Sequence, residues 1–205
     1  MPRKIKSINK KLFMQPIEID PATTALVVID LQKGIVSFPA APHETAKVVA
    51  NAALLAAAFR AKGAPVFLVR VTPSSDKKDA LAPETDSAPL ARGNMPAEWA
   101  DIVPELGPEP NDFVITKRQW GAFYGTELDL QLRRRGIRTI VLCGIATSIG
   151  VESTARAAYE LGYGQVFVED AMSSRSTEEH AASIGAIFPR MGRVRLTAEV
   201  LAALK

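Results

Sequence analysis

Short apolar segments rich in β-branched residues alternate along this chain with longer segments of helical spacing. The first, residues 24–29, reads Thr-Ala-Leu-Val-Val-Ile and ends at Asp30. Such a run is typical of a strand buried on both faces of a parallel sheet. Further strands are predicted at 65–71, 112–117, 138–143, 164–169 and 193–195, and helices at 44–61, 127–135, 151–161, 177–187 and 198–203. The alternation predicts an α/β fold: a three-layer α/β/α sandwich around an open parallel six-stranded sheet.

Composition limits the classes of protein to consider. The 205 residues suit a single domain, placed at 21–205, and the net charge is +3. Residues 1–11 contain five basic residues and no acid, so 1–20 is predicted to be a basic arm, either solvated or in contact with nucleic acid or a partner subunit. The remaining residues show no nucleic-acid-binding motif, and no segment has the length of a membrane helix or the pattern of a secretory signal. With a single cysteine, a cytoplasmic protein is expected.

A proline-rich excursion, residues 73–110, interrupts the alternation after the second strand. One short helix is predicted there, near Trp99. Long loops inside a compact domain are usually functional or disordered. This segment is therefore interpreted as a lid or wall over a pocket, or as a contact between subunits.

Polar residues follow three of the predicted strands. Asp30, Lys117 and the turn Gly144–Gly150 come directly after strands, and the carboxyl ends of parallel strands meet at the edge of the sheet that holds ligands. Asp30 is predicted to be a general acid or base, with a turn or capping role as the alternative. Lys117 is predicted to keep Asp30 ionised or to stabilise an oxyanion, with a solvated strand-end lysine as the alternative.

Other candidates are less specific. Trp120, Phe123 and Tyr124 could form a pocket wall or pack a helix onto the sheet. Cys143 lies inside an apolar strand, where a free cysteine is usually an inert packing residue. Ser148 lies in the turn and is expected to bond to backbone rather than to act as a nucleophile, which would need a base.

Metal and nucleotide sites are not predicted. The two histidines, His43 and His180, have no spacing typical of metal ligands. No glycine-rich phosphate-binding loop is present. We therefore expect no cofactor.

The segment Val141–Arg156 resembles the nucleophile segment of the isochorismatase-like cysteine hydrolases. The resemblance extends from about Thr24 to Leu204. It rests on the ordered motifs Ala25–Gln32, Lys117 with Ala122-Phe123 and Thr126-Glu127-Leu128, Gly144–Arg156, and Val168-Glu169-Asp170-Ala171. It implies the strand order 3-2-1-4-5-6 and a cis peptide between Ile145 and Ala146.

The resemblance also implies a catalytic triad with one member replaced. Amidases of this family use Asp, Lys and Cys; Asp30 and Lys117 match the first two, and Gly150 stands at the cysteine position. Isochorismatases also carry glycine there and hydrolyse a vinyl ether by acid catalysis. However, the Tyr and His that shape their turn are absent here.

These observations favour a hydrolase of a small, anionic substrate that uses Asp30 without a cysteine nucleophile. Two alternatives remain: a non-catalytic protein that binds a small ligand in the family pocket, and hydrolysis through Cys143. We expect a homo-oligomer, as is common in the family. The predicted substrate-binding residues are Gln32, Phe38, Trp120, Phe123, Tyr124, Ile145, Ala146 and Ser148.

Overall fold

Six parallel strands form one sheet in the order β3-β2-β1-β4-β5-β6, which confirms the predicted fold and strand order. The computed structural model describes residues 16–86 and 96–205. The strands are β1 (Thr24–Ile29), β2 (Val66–Val71), β3 (Phe113–Lys117), β4 (Thr139–Ile145), β5 (Gly164–Ser173) and β6 (Arg193–Arg195).

Helices cover both faces of this sheet. They are α1 (Lys33–Val36), α2 (Thr45–Ala61), α3 (Leu128–Arg134), α4 (Glu152–Glu160), α5 (Thr177–Ala182) and α6 (Thr197–Ala203). Alternate residues of β1 point to opposite cores: Leu26 and Val28 pack in the core that contains α2 and α6, whereas Val27 packs in the core that contains α3 and α4. Because the sheet is covered on both faces, its strands need apolar residues on both faces. The continuous apolar run of β1 meets this requirement.

The fifth strand differs from its prediction. It continues to Ser173, four residues beyond the predicted end at Glu169, through an irregularity in its pairing with β4. Leu142 pairs with Phe167, but Gly144 pairs with Met172. Such a bulge re-aims side chains and hides the regular alternation that a sequence pattern relies on.

Two predicted helices are also modified. The predicted helix 177–187 is α5 followed by a π-helical turn, Ser183–Ile187. The predicted helix 151–161 is preceded by a second π-helical turn, Thr147–Val151. Such turns are rare in general and are frequent at functional sites.

The N-terminal boundary of the domain lies earlier than predicted. Ile19, assigned to the arm 1–20, is 2% exposed and its N–H donates to Ala203 O at 3.0 Å. The domain therefore includes at least Ile19, and residues 1–15 lie outside the described part of the chain. Among the described residues, no helix has the length and apolar character needed to cross a bilayer. Self-association stays a prediction.

The excursion 73–110 is anchored near the end of β1. Its described residues contain two 3₁₀ turns where one short helix was predicted: Ala97–Ala100, as expected near Trp99, and Pro104–Leu106. Residues 87–95 lie outside the described ranges. Val103 N–H donates to Leu31 O at 3.1 Å. A methyl group on Gly34 would overlap the Trp99 ring, so the absence of a side chain at Gly34 lets this ring pack against α1.

Gly144 provides a test of how β4 approaches β1. Its φ is 118°, and a Cβ atom there would overlap the backbone of Ile29. Gly144→Ala should lower the free energy of unfolding by about 2–5 kcal/mol. The new methyl group would push β4 away from β1, and the alanine backbone would be strained at this φ. Urea denaturation measures the change.

Gly185→Ala is the matched control for this prediction. A Cβ atom there meets nothing within 4 Å, so stability should be unchanged or slightly higher. Equal stability of Gly144→Ala and wild type would contradict the close approach of the two strands.

Candidate active site

Asp30 follows β1 and is held by its backbone. Its N–H donates to Val69 O at 2.9 Å, which continues the pairing of β1 with β2. Its φ is +54°, in the left-handed region that few residues other than glycine occupy. Backbone conformations of this kind persist where the surrounding structure holds them and cluster at functional sites.

Lys117 is the last residue of β3 and reaches across β2 to Asp30. Its Nζ donates to Asp30 Oδ2 at 2.7 Å and to Trp120 O at 2.7 Å. Its side chain is 2% exposed. β3 is not adjacent to β1, and the length of the lysine side chain spans the intervening strand. This contact confirms the prediction from the sequence that Asp30 and Lys117 lie at the same edge of the sheet.

Burial dominates the electrostatics of Asp30. Desolvation raises the pKa of its carboxyl from 3.8 to about 6, although the charge of Lys117 and its hydrogen bond act in the opposite direction. Asp30 Oδ1 is buried and has no hydrogen-bond partner among the described residues. Since Oδ2 accepts from Lys117, Oδ1 is the oxygen available to carry a proton. This carboxyl can therefore act as a general acid near neutral pH.

Gly150 lies directly against this pair. A Cβ atom on Gly150 would be 3.1 Å from Asp30 Oδ2 and 3.4 Å from Lys117 Nζ. The turn that carries it is fixed, since Thr154 Oγ1 donates to Gly150 O at 2.7 Å. The peptide between Ile145 and Ala146 is cis, as the resemblance implied. A side chain at position 150 would thus project into the space beside the ion pair.

A cavity of about 750 Å³ opens at this edge of the sheet. We call it the candidate cavity. Its lining residues are Asp30, Ile35, Phe38, Pro39, Ala40, Val71, Pro73, Leu81, Trp99, Lys117, Arg118, Gln119, Trp120, Ile145, Ala146, Ile149, Gly150, Ser174 and Arg175. All three predicted catalytic positions are therefore in its wall, together with four of the predicted substrate-binding residues, Phe38, Trp120, Ile145 and Ala146.

The other four predicted substrate-binding residues do not line the candidate cavity. Gln32 is buried, and its amide binds the backbone of Val71 and Trp99, so it fixes the wall instead. Phe123 is 7% exposed and packs in the core beneath α3, whereas Tyr124 is 85% exposed.

Ser148 is also not among the residues that line the candidate cavity. Its hydroxyl hydrogen-bonds Ser174 Oγ at 2.7 Å and donates to Glu179 Oε2 at 3.2 Å. The expected bond to backbone is thus replaced by contacts with two side chains.

Three lining residues that the sequence reasoning missed define the character of the candidate cavity. Arg118 directly follows Lys117, and its position after β3 was a usable signal. Arg175 follows β5 and was hidden because the predicted end of that strand was too early. Trp99 comes from the distant excursion, so no local pattern places it here.

Cys143 has no access to the candidate cavity. It lies within β4, fully buried in the core, and burial raises the pKa of its thiol to about 12. A thiolate is the nucleophilic form. Catalysis through Cys143 therefore has no structural support.

The two histidines, which the sequence spacing did not connect, are neighbours in the fold. Nε2 atoms of His43 and His180 lie 2.9 Å and 3.2 Å from Glu169 Oε1. These bonds, led by the one from His180, lower the pKa of Glu169 to about 2. No short motif could reveal a group assembled from residues 43, 169 and 180.

Comparison with known proteins gives one consistent family. The isochorismatase domain model matches residues 24–199. The uncharacterised isochorismatase family protein YecD of Escherichia coli O157:H7 is 56% identical over 188 residues, which are 92% of this chain and 100% of that protein. The ureidoacrylate amidohydrolase RutB of Methylobacterium radiotolerans is 34% identical over 216 residues, covering 93% of this chain and 83% of that protein.

A solved structure shares the fold closely. An isochorismatase family protein from Burkholderia thailandensis superposes with a TM-score of 0.87 at 50% identity, covering 92% of this chain and 98% of that chain.

Removal of the cation from the buried ion pair should destabilise the protein by an amount that depends on pH. The folded-state pKa of Asp30, about 6, exceeds the ordinary 3.8, so its contribution to stability is full below 3.8 and is lost as the pH rises through 6. Without Lys117 that pKa rises further. Lys117→Met should therefore lower the free energy of unfolding by about 3 kcal/mol at pH 8 and by less at pH 5, measured by denaturant titration.

Lys33→Met is the control for this prediction. Lys33 pairs with Asp101 at 3.1 Å, but both side chains are exposed, so its loss should cost less than about 1 kcal/mol. Equal effects of the two substitutions would contradict the account of Asp30 as a desolvated carboxyl.

Proposed function

Because the chain belongs to the isochorismatase family, we propose that it is a hydrolase of a small anionic substrate in which Asp30 acts as acid and base without a cysteine nucleophile. The observation that carries this proposal is the side-by-side arrangement of Asp30, Lys117 and Gly150. The carboxyl has a raised pKa, and the adjacent position has no side chain.

Vinyl ether hydrolysis is the favoured reaction because it needs no protein nucleophile. Asp30 gives its proton to the terminal carbon of the C=C bond, which leaves a positive charge shared by the other carbon and the ether oxygen. Water then adds to that carbon and returns a proton to Asp30. The resulting hemiketal breaks its bond to the ether oxygen and yields a ketone and an alcohol. Asp30 ends the cycle protonated, as it began.

Lys117 has two effects in this mechanism. Its ammonium group is 2.7 Å from Asp30 Oδ2, so it stabilises the carboxylate that remains after the proton has left. It also lowers the pKa of Asp30, which burial alone would raise further. The two influences together give a pKa of about 6, so the acid is strong enough to donate its proton and a minor fraction of it is still protonated at neutral pH.

The lining of the candidate cavity supports an anionic and unsaturated substrate. Among the described lining residues, Lys117, Arg118 and Arg175 are cations, and Asp30 is the one carboxylate. Arg118 Nε binds Asp79 at 2.6 Å, but Arg118 Nη1 is buried without a hydrogen-bond partner among the described residues. A guanidinium donor of this kind suits a carboxylate oxygen. The rings of Trp99 and Trp120 offer apolar faces to a planar group.

The second candidate is a binding protein that keeps the pocket and has no catalytic thiol. It is favoured by one observation, the missing side chain at Gly150 beside an otherwise complete pair. A relative named as an amidohydrolase, RutB, shares 34% of its aligned residues with this chain. A pocket of amidase ancestry would then bind a ligand without cleaving it.

A turnover screen tests the first proposal. Wild type should hydrolyse small carboxylated vinyl ethers in preference to small amides, and Asp30→Asn should reduce kcat by at least about a hundredfold, since it removes the general acid. The value of kcat/KM should fall about tenfold per pH unit above an apparent pKa of about 6, because the protonated carboxyl is the active form. Product release, followed by chromatography, gives both measurements.

Two variants serve as controls for this screen. Glu160→Gln changes an exposed carboxylate at the end of α4, and Cys143→Ala removes the only thiol; both should retain turnover. Activity that survives Asp30→Asn would overturn the mechanism, and activity lost in Cys143→Ala with an intact fold would restore the thiol hypothesis.

Gly150→Cys tests the second candidate. The new Cβ would lie 3.0–3.4 Å from Ile29, Asp30 and Lys117, so the thiol would enter the candidate cavity after a small shift of the Ile29 methyl group. We expect one thiol per chain to react with iodoacetamide, in contrast to buried Cys143, and small amides to be cleaved. Gly150→Ala, which adds the Cβ without sulfur, is the control and should not cleave amides. An unreactive thiol in folded Gly150→Cys would argue against this geometry.

A further inference from the structure

Two histidines and a carboxylate from distant parts of the chain converge outside the candidate cavity. His43 precedes α2, Glu169 lies in the irregular part of β5, and His180 lies in α5. Their nearest nitrogen and oxygen atoms all lie within 4.8 Å of one another. They bring together both histidines of the chain.

Two of the three spacings among these atoms are close to those around a tetrahedral metal ion. Ligands bound to Zn²⁺ at 2.0–2.1 Å are about 3.3 Å apart. Glu169 Oε1 is 2.9 Å from His43 Nε2 and 3.2 Å from His180 Nε2, and the ligand atoms of the two histidines lie within 4.8 Å of each other. Rotation of the two imidazole rings would adjust these spacings to admit the ion. Two imidazoles and one carboxylate suit a borderline first-row metal, whereas Mg²⁺ and Ca²⁺ prefer oxygen ligands.

His180 is oriented by a second contact. Its Nδ1 is 2.9 Å from Thr147 Oγ1, and Thr147 is fully buried. A neutral imidazole that binds a metal through Nε2 carries its proton on Nδ1. Thr147 Oγ1 can accept a hydrogen bond from this N–H group. Metal-bound histidines nearly always have such a partner, which fixes the ring and its tautomer.

His43 is held in place by the backbone around it. Ser173 Oγ donates to His43 O at 2.7 Å, and Ala41 and Ser174 exchange backbone hydrogen bonds of 2.9 Å and 3.0 Å. The side chains of His43, Glu169 and His180 are 18%, 25% and 4% exposed. The group is therefore preorganised, and its partial exposure leaves a path for an ion and a water ligand.

We propose that His43, Glu169 and His180 bind a divalent first-row transition metal, best matched by Zn²⁺, with water completing the coordination. The ion ties the loop before α2, β5 and α5 to one point. Through Thr147 it also supports the π-helical turn Thr147–Val151, which carries Gly150. Its role is to position this turn, and none of its ligands lines the candidate cavity.

Metal affinity, measured without substrate, tests this proposal independently of the proposed reaction. Full-length, tag-free protein is stripped with a chelator and titrated with Zn²⁺ in competition with a chromophoric chelator. We expect one equivalent per chain with a micromolar or lower Kd. At a free concentration of a hundred times Kd, the melting temperature should rise by about 5–10 °C.

Variants locate the ion. Glu169→Gln and His180→Gln should each weaken Zn²⁺ binding by at least about tenfold, while Glu160→Gln, the matched exposed control, and Cys143→Ala should bind as wild type does. If either ligand variant fails to fold, His43→Gln, at the more exposed of the two histidines, replaces it.

Two results would overturn the proposal. Absence of Zn²⁺ binding by wild type would show that the three residues form only a hydrogen-bonded network. Undiminished binding by Glu169→Gln and His180→Gln would place the ion elsewhere in the chain. Neither result would bear on turnover by Asp30.

Discussion

The buried ion pair of Asp30 and Lys117 is the constraint around which the candidate site is arranged. Its 2.7 Å contact joins two strands that are separated by β2, so the register of three strands sets the distance. Such a pair adds little net stability, because desolvation of both charges offsets their attraction. Net stabilisation of the fold is therefore a weak reason for this pair, and the proposed chemistry offers another. Burial of the Asp30 carboxyl, offset in part by Lys117, gives the pKa of about 6 that the proposed acid catalysis needs.

Two glycines control the space around this pair in different ways. Gly144 lets β4 approach β1 more closely than any side chain would allow, and Gly150 leaves room beside Asp30 and Lys117. The first is a requirement of packing, since its φ and its contacts both exclude a Cβ atom. The second is a property of the site, where a Cβ would be tight but tolerable. The same residue type thus has a structural role at one end of the turn and a proposed chemical role at the other.

Local patterns were sufficient where structure follows from neighbours in sequence. Apolar runs predicted the six strands, and the strand-end rule placed Asp30 and Lys117 at one edge. The same rule failed for Arg175, because a bulge extends β5 beyond its apolar run. Phe123 was misread because a buried aromatic in the core and one in a pocket wall have the same local sequence. Trp99, His43 and His180 were missed because their partners lie far away in the chain.

The layers, the strand order implied by the family resemblance, and the edge of the sheet where polar side chains meet were all predictable from the sequence. These depend on periodicity and on residues that directly follow strands, and both can be read locally. The folded chain was needed to show which side chains line the candidate cavity, how far Lys117 reaches, and that His43, Glu169 and His180 meet. Those outcomes depend on the register between strands and on burial, because distance and desolvation are properties of the packed chain.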